Sequence, residues 1–172
     1  FMEEEIRQGR DVRLVARCQP AESRFTAGMI SPMYSGDADW REFCGMERSA
    51  QLEAIAQPAW RARLSRYWSN VPYLTSAIIE KVTNPELEPL LGKYLTDVAA
   101  ERGVDPIELM FDISQQDGMG TIFLLRGRPK SDESDFVRIL KSPSTLIGVS
   151  DGGAHLQTFA GADYPTYFLK HW

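Results

Sequence analysis

Two apolar periods divide this chain, and their arrangement limits what it can fold into. Near both ends, short apolar runs with strand character alternate with helical stretches; between about residues 32 and 118 the apolar spacing is helical and no convincing strand is visible. Met2 to Gln8 reads as a helix end with its acids early and Gly9 as the stop. Asp11 then leads into Val12 to Cys18, where apolar residues alternate as in a half-buried strand. Helix, glycine, strand is the second half of a βα repeat.

In the middle stretch, Trp40 to Gln57 carries helical spacing, and Pro58 suits the first position of a helix over Pro58 to Trp68. Asn84-Pro85 and Asp105-Pro106-Ile107-Glu108 read as helix starts, the second as a variant of the capping box. Thr121 to Leu125 is a short, partly β-branched run ended by Gly127 and Pro129. An acidic helix start at Ser131 to Ser134 follows, with a helix to about Lys141, then a strand over Thr145 to Ser150. That strand meets the turn Asp151-Gly152-Gly153, and a last helix begins near Asp163 to Pro165. The fold expected is α/β: residues 1–31 a strand with a flanking helix, 32–130 a large, mainly helical insertion, and 131–172 a helix-strand-helix segment. In a (β/α) barrel a long βα-loop insertion has this appearance.

A formal charge of -5 means that the whole-protein field repels phosphate backbones. Arg61, Arg63 and Arg66, beside Trp60, Tyr67 and Trp68, are the nearest approach to a basic patch and read as a solvated arginine face over an aromatic stripe. Nucleic acid is therefore not an expected partner. Neither is a membrane, since no apolar stretch approaches the roughly 20 residues of a spanning helix. Cys18 and Cys44 lack Cys-x-x-Cys spacing and read as reduced thiols, which suits a cytoplasmic protein.

Asp151 directly follows an apolar strand, so its carboxylate is expected at the strand's C-terminal end, where active groups of parallel α/β folds gather. Gly152 and Gly153 let the backbone turn sharply and leave room for a ligand against the main chain. Asp-Gly-Gly by itself is also an ordinary turn sequence.

The run Leu146-Ile147-Gly148-Val149-Ser150-Asp151-Gly152-Gly153-Ala154-His155, with Asp163 to Leu169 and His171-Trp172 after it, resembles the final barrel strand and following helix of the N-acyl-D-amino-acid deacylases, within the amidohydrolase superfamily. More weakly, the resemblance extends through Gly103 to Pro106 and the stretch from Trp40 to Trp68. It implies a TIM-barrel hydrolase in which zinc or a similar divalent metal activates water against an amide. Asp151 matches the family's proton shuttle, which also reaches the metal. His155 matches the histidine that closes the motif, as a group orienting ligand or carboxylate or as a structural hydrogen bond of the loop. Members of the family carry an arginine for the substrate carboxylate in the loop after the aspartate. Leu156 to Asp163 has none, which leaves Arg126, at the end of the Thr121 to Leu125 run, as the substitute should the insertion fold over the site.

Only two histidines, His155 and His171, are present, without a His-x-His pair. Cys18 reads as a buried structural thiol sooner than a ligand, and His171 as a helix residue packed beside Trp172. Tyr73, Tyr94 and Trp68 read as core of the insertion ahead of a substrate lid. A full barrel needs eight strands and about 250 residues. The expectation is a barrel fragment from an enzyme acting on a small-molecule amide, an N-acyl-amino-acid or a related linear or cyclic amide. Alone, it is expected to be inactive, to bind no metal, and to self-associate through exposed barrel edges. The alternative is a non-catalytic helical interaction module.

Overall fold

The computed structural model describes residues 2–20, 22–29, 36–68, 77–126, 133–150, 159–160 and 162–172. In chain order the elements are α1 (Met2–Arg7), β1 (Leu14–Ala16), β2 (Glu22–Phe25), α2 (Ala38–Cys44), α3 (Arg48–Ile55), α4 (Pro58–Trp68), β3 (Ile78–Lys81), a 3-10 helix (Pro85–Leu90), α5 (Leu95–Arg102), α6 (Pro106–Gln116), β4 (Ile122–Arg126), α7 (Glu133–Leu140), β5 (Thr145–Ile147), β6 (Phe159–Ala160) and α8 (Tyr164–His171). The protein is mixed α/β, dominated by helices, with its strands in small sheets. It divides into two compact units. One is continuous, Ser23–Leu125, and the other joins Phe1–Glu22 with Arg126–Trp172.

The continuous unit is built around aromatic residues. Trp40, Phe43, Phe25, Phe111 and Phe123 are all fully buried, together with Ile55, Leu64, Ile79 and Leu95. Trp40 stacks on Phe111 at 6.3 Å and meets Phe43 edge-on at 5.8 Å, and its indole Nε1 donates to the Leu64 carbonyl at 3.1 Å. A buried tryptophan with its one donor satisfied contributes its full apolar area without the penalty of an orphan N–H. Helix starts follow the chemistry of their first residues. Asp105 Oδ1 accepts from the backbone N–H of Ile107 at 2.8 Å and Glu108 at 3.3 Å, ahead of Pro106 at the first helical position. Gly103, left-handed at φ 67°, ends α5 as only glycine does without strain.

Three features depart from the sequence pattern. The stretch Trp40 to Gln57 forms two helices: the Gly45 N–H closes α2 on the carbonyls of Arg41 and Glu42, and the extended backbone of Glu47, ψ 151°, interrupts the ladder before α3. A strand, β3, also lies inside the stretch that reads as wholly helical. It pairs antiparallel with β4, Ile78 opposite Leu124 and Ile79 opposite Phe123, with an irregularity before Lys81. Four residues with both leading positions buried carry too little alternation to register as a strand. In addition, β2 forms directly after the first strand segment and lies next to β4 in the order β3-β4-β2.

In the discontinuous unit, β1 and β5 are parallel neighbours, with Leu14 beside Thr145, Val15 beside Leu146 and Ala16 beside Ile147. Both are shorter than the runs Val12–Cys18 and Thr145–Ser150. The sheet leaves Leu14, Val15 and Leu146 exposed, the last two by 50% and 53%, whereas parallel strands are ordinarily covered on both faces. Among the described residues no helix is long and apolar enough to cross a membrane.

Candidate functional site

Because β1 and β5 run in the same direction, the segments that follow them leave from one end of the sheet. After β1 come Cys18, Gln19 and Pro20; after β5 come Gly148, Val149 and Ser150. Asp151, Gly152, Gly153 and His155 lie outside the described residues. The start of α8 packs at this same end. Cys18 Sγ donates to the Tyr164 carbonyl at 3.4 Å, Gln19 Nε2 donates to Asp163 Oδ1 at 3.1 Å, and Trp172 Nε1 donates to the Cys18 carbonyl at 2.6 Å. A methyl group on Gly148 would stand 3.8 Å from the Tyr164 hydroxyl and 3.9 Å from Val15, ordinary contact distances.

Next to these contacts is a cleft of about 410 Å³ lined by Gln19, Pro20, Glu22, Arg126, Asp163 and Tyr167, all from the discontinuous unit. Arg126 is held on one wall by Glu22, Nε to Oε1 at 3.0 Å, with its side chain still more than half exposed. On another wall Gln19 is 8% exposed. Its Nε2 satisfies Asp163, but its Oε1 is buried with no hydrogen-bond donor. A buried acceptor without a donor costs about 1–3 kcal/mol, so the fold tolerates a polar group here that it does not itself satisfy.

Cys18 is fully buried, and burial pushes its thiol pKa up, with the neighbouring Asp163 charge adding to that and a backbone hydrogen bond opposing it. A thiol held protonated is neither a nucleophile nor a ready metal ligand, in keeping with its reading as a structural cysteine. His171 sits in the last turn of α8, its ring 5.1 Å from Tyr167 and 4.9 Å from Trp172. Among the described residues no group of three or more His, Cys, Asp or Glu is placed to hold a metal ion.

The three arginines of α4 are all paired with acidic side chains. Arg61, 16% exposed at the side chain, donates to Glu108 at 3.0 Å, Asp112 at 2.7 Å and Gln115 at 3.1 Å, and so ties α4 to α6. Burial alone would lower its pKa; hydrogen bonds and charges from Asp112 and Glu108 more than offset that and raise it. Arg63 lies 4.1 Å over the Trp60 ring and bridges to Asp39 and Glu42, while Arg66 reaches Asp39 at 3.2 Å. Each of the three is thus paired with carboxylates of the fold; Arg61 is turned inward, while the Arg66 side chain stays 72% exposed, on the solvated face expected from spacing. Tyr94 precedes α5 and is 40% exposed. Tyr73 and the side chain of Trp68 lie outside the description.

Gln19, Asp163 and Tyr167 carry no individual mark in the sequence. Asp163 reads there only as a helix start, although its carboxylate makes no cap hydrogen bond and instead receives Gln19. Comparison of the chain with protein-family models, curated proteins and solved structures finds no match.

Proposed function

We propose that this chain is part of an amide-hydrolysing enzyme of the amidohydrolase kind, with Asp151 as the carboxylate that shuttles the proton and with β1 and β5 as neighbouring strands of a (β/α) barrel. The observation that carries this reading is the parallel pairing of β1 with β5 immediately upstream of Ser150 to His155. Reacting groups of parallel α/β folds stand where such strands end, and three of the cleft's lining residues, Gln19, Pro20 and Glu22, follow β1.

In this role Asp151 accepts a proton from the attacking water and returns it to the leaving amine, general acid-base work worth about 10² to 10⁴ in rate. Gly152 and Gly153 give the substrate close access to the main chain, and His155 orients ligand or carboxylate. The substrate class is a small amide, N-acyl-amino-acid or a related linear or cyclic amide. The resemblance implies zinc or a similar ion. The described residues do not assemble a site for one, so the chemistry assigned to this chain is that of its carboxylate alone.

In the enzyme that contains this chain, Asp151→Asn is expected to lower amide turnover by at least about 10², with the thermal unfolding midpoint unchanged. Undiminished turnover would remove Asp151 from the mechanism. The second reading, a helical interaction module without catalysis, draws on the self-contained core of Ser23–Leu125. Complete lack of amide turnover by the unaltered enzyme would leave that reading standing.

A further inference from the structure

We infer that the cleft beside α8 is a binding site for a small primary ammonium group, independently of whether the chain serves amide hydrolysis. Three observations converge on it. The cavity, about 410 Å³, is within the range of small-molecule sites. Its two carboxylates are unequally compensated: Glu22 is paired with Arg126 at 3.0 Å, whereas Asp163 receives only the neutral amide of Gln19 at 3.1 Å. Among the described residues of the lining, Glu22 and Asp163 stand against Arg126, an excess of one negative charge. Finally, Gln19 is more than nine-tenths buried and its Oε1 lacks a donor.

What is missing from this wall is therefore a cation rich in N–H donors. An ammonium has three, no acceptor, and a compact charge. It neutralises Asp163 through a charge-assisted hydrogen bond and, with a small shift of the Gln19 amide, supplies the donor that Oε1 lacks. Tyr167 and Pro20 offer apolar surface to the carbon chain behind it. An anion at the same place would meet the uncompensated carboxylate, and a neutral alcohol would gain none of the charge term.

The test is calorimetric titration of the purified chain with n-butylammonium chloride, beside sodium butyrate and 1-butanol. Saturable binding of n-butylammonium at millimolar concentration is expected, with neither of the other two binding. Asp163→Asn, which keeps the shape of the side chain and removes no cap, should weaken binding at least about tenfold. Arg126→Gln, on an exposed side chain, should leave binding equal or tighter, since it removes a cation from the lining. The inference is overturned by absent n-butylammonium binding, by equal binding of butanol or butyrate, by an Asp163→Asn variant of unchanged affinity, or by Arg126→Gln weakening binding as Asp163→Asn does.

Discussion

At the scale of single residues, Asp117 is a heavily committed polar group of the continuous unit. It is 4% exposed. One carboxylate oxygen accepts from the Thr83 N–H at 2.7 Å, the Thr83 hydroxyl at 2.6 Å and the Asn84 N–H at 2.6 Å, and the other from the Thr121 hydroxyl at 2.7 Å. Burial would raise its pKa, but these hydrogen bonds outweigh burial and hold it below the usual carboxylate range. A carboxyl that titrates lower in the folded than in the unfolded state contributes stability above its unfolded pKa, near 3.9, and loses it as pH falls through the folded value. Asp117→Asn is thus expected to cost about 1–3 kcal/mol at neutral pH and to flatten the acid side of the stability profile, both read from urea unfolding across pH. A variant as stable as the parent at neutral pH would show that the four donors find water instead. Nothing local in the sequence marks this residue, because Asp117 before Gly118 is an ordinary turn pair and its donors come from as far as 34 residues away. The candidate site was legible to the same limited degree. Arg126 could be named from its place at a strand end, while Gln19 and Asp163 meet across 144 residues and become partners only in the fold.

At the scale of elements, the sequence was informative wherever a boundary depends on one residue's own chemistry. Pro58, Asn84-Pro85 and Asp105-Pro106 open helices because fixed φ and a short side-chain acceptor suit a helix's first turn, and all three starts are observed. Legibility failed where pairing decides. β3 exists because β4 lies alongside it, and a four-residue apolar run is compatible with helix or strand until that neighbour is present. The same dependence on neighbours bears on β1 and β5. Val15 and Leu146 stand side by side in register and both are about half exposed, an apolar strip on a two-stranded parallel sheet of a kind that seldom persists uncovered. Concentration-dependent self-association of the chain is therefore expected, and sedimentation velocity over a range of concentrations measures it. Substituting Val15 and Leu146 with threonine should shift the distribution toward monomer. A parent that stays monomeric at the highest concentration would show that the strip does not drive association.

At the scale of the whole molecule, the two units differ in what holds them together. Every residue of the main buried cluster, from Phe25 to Leu125, belongs to the continuous unit. Among the described residues of the discontinuous unit, Cys18 and Gln19 alone are buried, whereas Leu14, Val15, Leu146, Leu169 and Trp172 are exposed. Apolar burial is the dominant favourable term in folding, at about 25 cal/mol per Å², and local opening free energy follows its distribution. Amide hydrogen exchange under native conditions should therefore separate the molecule into two classes. Amides of α6, β3 and β4 are expected to exchange only through global unfolding, at rates that rise in step with added denaturant. Those of β1, β5 and α8 are expected to exchange at least about 10² faster, a difference of roughly 2.7 kcal/mol in opening free energy, and with little dependence on denaturant. Equal protection of β5 and α6 would mean that the discontinuous unit draws its stability from the same cooperative transition, and that the exposed strip costs it nothing.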